Sequence, residues 1–184
     1  SDAPRTLVVL PTYNEAGNLA PLCEALLAVR PAVDVVIIDD DSPDGTADIS
    51  REMICAYPDR IFLETRSERL GRGHAVMHGF RYAMANKYDY CLEMDADFSH
   101  DPHDIPRFIE AIHDADLVIG SRNISGGGVE GWNWKRKVIH GLANAYASLL
   151  LGRPSTEHTN GFRMYRVSTL VTLPIESASA SGYV

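Results

Sequence analysis

The chain has 184 residues, 45% of them hydrophobic and 23% charged, a composition that fits one globular domain with a full core and argues against a disordered or fibrous protein. Its net charge of −8 weighs against nucleic acid as a partner, since such binders show a basic patch or stripe. No uninterrupted apolar run approaches the ~18 residues of a membrane span, Ser1–Arg5 lacks the apolar stretch of a signal peptide, and the sequence reads as soluble and cytosolic.

Thr6–Leu10, an apolar run ended by Pro11, is expected as a strand. Leu19, Leu22, Cys23, Leu26 and Leu27 then recur at helical spacing until Pro31 closes the helix. Val33–Ile38 is a second apolar run, rich in β-branched residues, of the kind a parallel sheet buries on both faces. A helix is expected over Ala47–Ala56 with Thr46 as its N-cap, and a strand over Ile61–Glu64. Val76, Gly79, Phe80 and Ala83 mark another helix, Tyr90–Met94 another strand, Ile105–His113 a helix and Leu117–Gly120 a strand. Beyond these, Ser125–Gly131 reads as a glycine-rich loop, and Val138, Leu142, Ala145 and Leu149 as the apolar face of a helix. Trp132 and Trp134 would pack that loop or rest at a membrane interface. Cys23, Cys55 and Cys91 make no Cys-x-x-Cys pair, and Cys23 and Cys91 are expected as buried, inert thiols.

Strand and helix alternating in this way predict an α/β fold, a mostly parallel sheet flanked by helices in a single domain. Ligands of such folds bind outside the carboxyl ends of the strands. Three polar clusters stand there: Pro11-Thr12-Tyr13-Asn14-Glu15, Asp39-Asp40-Asp41 and Asp95-Ala96-Asp97. Two crowded carboxylates at Asp95 and Asp97 repel unless a cation lies between them, and hard oxygen donors suit Mg²⁺ or Mn²⁺. Taken alone, the same pair is also a solvated acidic turn. Asp39–Asp41 could accept hydrogen bonds from a ribose or a base, or serve the turn Ser42-Pro43-Asp44-Gly45. For His100 and His103, capping or solvent exposure is expected rather than a place in the site.

In combination and order, these clusters resemble family 2 glycosyltransferases of the GT-A (Rossmann-like) fold, and within them the polyprenol-phosphate (dolichol-phosphate) mannosyltransferases. The resemblance rests on Pro11–Glu15, Ile38–Thr46, Met94–Asp97 and Gly120-Ser121-Arg122. It is supported by Leu70-Gly71-Arg72-Gly73-His74-Ala75, Trp134-Lys135-Arg136 and Asn160-Gly161-Phe162-Arg163-Met164-Tyr165, and it extends over nearly the whole chain.

The resemblance implies inverting transfer of mannose from GDP-mannose to a polyprenyl phosphate, such as dolichyl or undecaprenyl phosphate, with Mg²⁺ or Mn²⁺ as cofactor. Pro11, Tyr13 and Glu15 would line the nucleotide pocket, and Ile38 and Asp40 would hold the guanosine or its ribose. Asp95, Ala96 and Asp97 would meet the donor, with Asp95 and Asp97 on the metal. Ser99 stands where relatives often carry glutamine as a further ligand, and its hydroxyl reaches less far. Arg122 and Arg136 would face the donor and acceptor phosphates, forming with Asp97 the catalytic set. The whole of 1–184 would be the catalytic domain, at the cytoplasmic face of a membrane. Relatives usually continue past the equivalent of Val184 with further helices and basic residues. A UDP-sugar transferase and a non-catalytic nucleotide-sugar binding module remain as alternatives. A nucleotidyltransferase lacks support, because no glycine-rich, lysine-bearing triphosphate loop is present.

Overall fold

A computed structural model of the chain describes residues 3–67, 70–120 and 161–172. The glycine-rich loop, the helix expected from Val138, both tryptophans, Arg122 and Arg136 lie outside the described residues. By its contacts the chain divides into one unit of residues 1–118 and 161–184 and a second of 119–160, of which Ile119 and Gly120 are described.

Among the described residues six strands form one sheet: β1 (Thr6–Thr12), β2 (Val33–Asp39), β3 (Ile61–Thr65), β4 (Tyr90–Glu93), β5 (Leu117–Ile119) and β6 (Arg163–Arg166). Their order is β3-β2-β1-β4-β6-β5. The β1–β2, β2–β3 and β1–β4 pairs are parallel, and β6 runs antiparallel to β4. The sheet is therefore the mostly parallel one the alternation predicts. The strand β6 has no counterpart in that reading: its four residues include two arginines and carry no apolar run.

Among the described residues five helices cover the sheet: α1 (Ala16–Ala28), α2 (Thr46–Ala56), α3 (Arg72–Ala85), α4 (Ile105–Ala111) and the single turn α5 (Val167–Leu170). Strand β1 shows why both faces need cover. Val8 and Leu10 pack in one core with Leu19, Leu22 and Leu26 of α1 and Ile105 and Phe108 of α4. Leu7 and Val9 point the other way, to Val76 and Phe80 of α3. Period-two side chains on a doubly covered strand thus read as a continuous apolar run. Cys23 and Cys91 are buried, as expected, and Cys55 is exposed. Burial, with a smaller contribution from Glu24, pushes the Cys23 thiol up to about 12.

Several boundaries differ from expectation: strand ends shift by a residue, and β1 runs through Pro11, expected to end it, to Thr12 in register with β2. Helix α2 begins at Thr46 itself, and its cap is Gly45, whose φ of 90° suits glycine. The Asp44 carboxylate accepts from both the Thr46 N–H (3.1 Å) and its hydroxyl (2.6 Å), so Thr46 is freed from capping. The helix expected over Ile105–His113 is α4 flanked by 3₁₀ turns at Pro102–Asp104 and Ile112–Asp114.

Gly79 brings α3 onto the sheet. A Cβ added there would overlap both methyl groups of the fully buried Val9, whose branched side chain has little room to turn. Gly79→Ala is expected to destabilise the fold by about 1–3 kcal/mol through overpacking. Urea unfolding checks this, and an unshifted midpoint would contradict the close approach.

Candidate active site

The chain leaves β1 towards β2 and β3 on one side and later crosses to β4 on the other. The carboxyl ends of β1 and β4 therefore bound the crevice at which open α/β sheets take their ligands. The three polar clusters found in the sequence stand at this edge of the sheet.

On the β2 side, most of the acidic groups hold the loops. Asp39 is buried, and its Oδ1 accepts from Thr12 Oγ1 (3.0 Å) and Ser42 Oγ (2.6 Å), while Oδ2 accepts from the Ser42 N–H (3.0 Å). Ser42 Oγ in turn accepts from the Asn14 N–H, Thr46 Oγ1 from the Glu15 N–H, and Asp44 Oδ2 from the Ala16 N–H, each at 3.0 Å. The hydrogen bond from Thr46 is the largest influence on Asp44 and holds its carboxyl below the usual range. This lattice staples the Pro11–Glu15 turn to the Ser42–Thr46 turn. Pro11, Tyr13 and Glu15 remain half-buried at its surface, with Glu15 Oε2 accepting from Asn18 Nδ2 (3.0 Å). The Ile38 side chain is fully buried in the core beneath α3. Asp40 is also buried and takes a fork from Arg66, Nε to Oδ1 at 2.6 Å and Nη2 to Oδ2 at 2.7 Å. In this arrangement both side chains are engaged within the protein, Asp40 by Arg66 and Ile38 by the core.

At the end of β4 lies a second charged cluster. Glu93 is 1% exposed, with Arg163 Nε 3.8 Å from its Oε1 and Arg72 Nη1 3.9 Å from its Oε2. Burial pushes its carboxyl up to about 7, a rise that Arg72 and Arg163 restrain and Asp95 adds to. Asp95 is half-buried, and its Oδ1 accepts from Arg72 Nε at 2.7 Å. His100 Nε2 approaches its Oδ2 at 3.4 Å, close enough for an ion pair but out of line for a hydrogen bond. Burial alone would raise the Asp95 carboxyl, yet His100 and the Arg72 guanidinium outweigh it and hold it at about 2. Ala96 is buried in the α1–α4 core. Asp97 and Ser99 are exposed, and the Ser99 N–H donates to Asp97 Oδ1 at 2.9 Å.

The expectation for His100 is overturned. It is buried, and its ring stacks on Phe162 with centroids 4.8 Å apart and planes 12° apart. Phe162 packs in turn on Phe108. A flat apolar partner thus draws the imidazole inward while its edge faces Asp95. His103 is exposed, as expected, and pairs with Asp101.

The sequence reading assigns no role to Arg66, Arg72, Glu93 or Arg163. Arg72 and Arg163 lie in motifs that carry the resemblance, and Arg66 directly follows a strand, which is the signal that could have found them.

Asp95 and Asp97 offer two hard oxygen donors. Among the described residues no three His, Cys, Asp or Glu side chains converge on a metal-sized site. That donor set fits an ion that takes its remaining ligands from water and a diphosphate, as Mg²⁺ commonly does. It does not fit a structural metal enclosed by protein. No helix among the described residues is long and apolar enough to cross a membrane.

The chain is similar to known proteins in sequence and in fold. The profile of glycosyl transferase family 2 matches residues 7–173. A polyprenol monophosphomannose synthase of Mycolicibacterium smegmatis is 39% identical over 180 residues, covering 97% of this chain and 68% of the relative. An undecaprenyl-phosphate mannosyltransferase of Micrococcus luteus is 38% identical over 179 residues, covering 97% of this chain and 73% of the relative. Among solved structures, the mannosyltransferase PcManGT of Pyrobaculum calidifontis, in complex with GDP-Man and Mn²⁺, superposes with a TM-score of 0.60 at 19% identity. That alignment covers 98% of this chain and 51% of PcManGT, so this chain spans about half its length.

Proposed function

The chain belongs to glycosyl transferase family 2, and on that premise we propose that it transfers mannose from GDP-mannose to a polyprenyl phosphate, inverting the anomeric carbon. The observation that carries the proposal is the 39% identity, across 97% of the chain, to a polyprenol monophosphomannose synthase. All of 1–184 is taken as catalytic domain, working as a peripheral protein at the cytoplasmic face of a membrane, where the lipid acceptor resides.

Asp95 and Asp97, with Ser99 beside them, would hold Mg²⁺ or Mn²⁺, whose positive charge would stabilise the negative charge developing on the leaving diphosphate. Pro11, Tyr13 and Glu15 line the nucleotide pocket. Asp40 contributes through Arg66, by fixing the end of β2, and Ile38 through the core beneath it. The acceptor phosphate oxygen attacks the anomeric carbon as the bond from that carbon to the β-phosphate oxygen breaks. GDP leaves with the bonding electrons, and a mannosyl phosphodiester forms. The attacking oxygen is already anionic near neutral pH, so no proton has to be removed. Arg122 and Arg136 orient the phosphates by charge and bidentate geometry.

Arg122→Ala is expected to slow transfer about 100-fold or more, the scale for losing one preorganised electrostatic donor, with the unfolding transition retained. Wild-type turnover in that variant would remove Arg122 from the site. The donor is tested by calorimetric titration with GDP and UDP, each with and without Mn²⁺. Metal-dependent binding that favours GDP is the expected result. Preference for UDP would redirect the donor to a UDP-sugar, and binding of neither would overturn the assignment.

A further inference from the structure

Arg72 occupies a position that the proposed chemistry leaves unexplained. It is the first residue of α3, and its Nε donates to Asp95 Oδ1 at 2.7 Å, the shortest contact of that carboxylate among the described residues. Its Nη2 donates to the Gly161 carbonyl at 3.3 Å, and its Nη1 faces Glu93. Space for this pose depends on Gly161, because a Cβ there would overlap Arg72 Nη2. Glu93 is buried and needs positive neighbours, since an unpaired buried charge is costly. Asp95 is different: its side chain is 30% exposed, and water could solvate it without a guanidinium.

A divalent ion bound to Asp95 would sit beside a fixed positive charge, and like charges at that range oppose each other. A nucleoside diphosphate relieves the conflict. Two of its oxygens would give the planar guanidinium a bidentate acceptor, and its negative charge would offset that of both cations.

From this geometry we infer that Arg72 is a built-in counter-cation, which holds Asp95 against metal alone and yields it when a nucleoside diphosphate arrives. Metal and nucleotide then bind as a pair, each weak without the other. The inference rests on the reading of Asp95 and Asp97 as metal ligands, and its sign sets it apart from a structural role. Removing a merely structural partner of Asp95 would weaken the metal site, whereas removing a competitor strengthens it.

The test is Mn²⁺ titration followed by the electron paramagnetic resonance of the free ion, with and without GDP. The wild type is expected to bind Mn²⁺ weakly alone and about tenfold or more tightly with GDP. Arg72→Met is expected to bind Mn²⁺ alone about tenfold or more tightly than wild type, the scale of one to three pK units for a charge at contact range. It should also lose most of the GDP-induced gain. Gly161→Ala keeps the charge but crowds it, and should shift Mn²⁺ affinity in the same direction by less. It decides the matter if Arg72→Met does not fold. Unchanged or weaker Mn²⁺ binding in the folded Arg72→Met, or in Gly161→Ala should that variant have to decide, overturns the inference while leaving the metal site in place. Failure of the parent reading looks different: the wild type would bind no Mn²⁺ even with GDP, or Asp95→Asn would leave the affinity untouched, and the inference would fall with it.

Discussion

Asp97→Ala is expected to weaken Mn²⁺-supported GDP binding by at least about a hundredfold while leaving the fold intact. Loss of groups that only support a metal ligand costs about 10–100-fold, so loss of a ligand itself should reach or exceed the top of that range. Asp97 is exposed, and among the described residues the one hydrogen bond it accepts comes from the Ser99 N–H, which water can satisfy once the carboxylate is gone. Its removal therefore resembles an ordinary surface substitution, within about 0.5 kcal/mol of wild type. The two halves of the result are checked together, by calorimetry with GDP and Mn²⁺ and by thermal unfolding. Unchanged affinity would remove Asp97 from the metal site, and a large fall in stability would show that its role is structural.

The second large effect is on stability. Arg66→Met is expected to cost about 3–5 kcal/mol, because it strands the Asp40 carboxylate. The two side chains are 10% and 6% exposed, and the fork between them is short at both prongs. For a chain of this length the fall in melting temperature should be about 6–20 °C. The double variant Arg66→Met with Asp40→Leu separates causes. Replacing both partners by apolar groups removes the stranded charge, so it should recover much of the loss. If the double variant is as unstable as the single one, the cost lies in the Arg66 contact with the Gly71 carbonyl or in packing.

The parts of the fold that were legible in the sequence are those with a local signature. Val33–Ile38 announces a doubly covered strand by its unbroken β-branched run, and Leu19, Leu22 and Leu26 announce α1 by their spacing. The strand-end rule then found the edge of the sheet at which the polar clusters stand. What stayed hidden depends on partners distant in sequence. Nothing near Glu93 indicates that it is buried between Arg72 and Arg163. Nothing near His100 indicates the Phe162 ring that draws it in. Asp39 could be read equally as a ligand or as turn chemistry, and the structure assigns its oxygens to Thr12 and Ser42. Thr46 fits the N-cap pattern by residue type, but its hydroxyl donates to Asp44, and the Asp48 and Ile49 N–H groups it would cap donate to the Gly45 carbonyl.

The most direct test of the central proposal is transfer itself. The chain would be incubated with GDP-mannose labelled in the sugar and with undecaprenyl phosphate in detergent, with Mn²⁺ or with EDTA, and the label extracted into the organic phase would be counted. The account predicts Mn²⁺-dependent label in the lipid fraction, matched mole for mole by released GDP and lost in EDTA. Metal-dependent binding of GDP-mannose with no label reaching the lipid would contradict it and leave a nucleotide-sugar binding module.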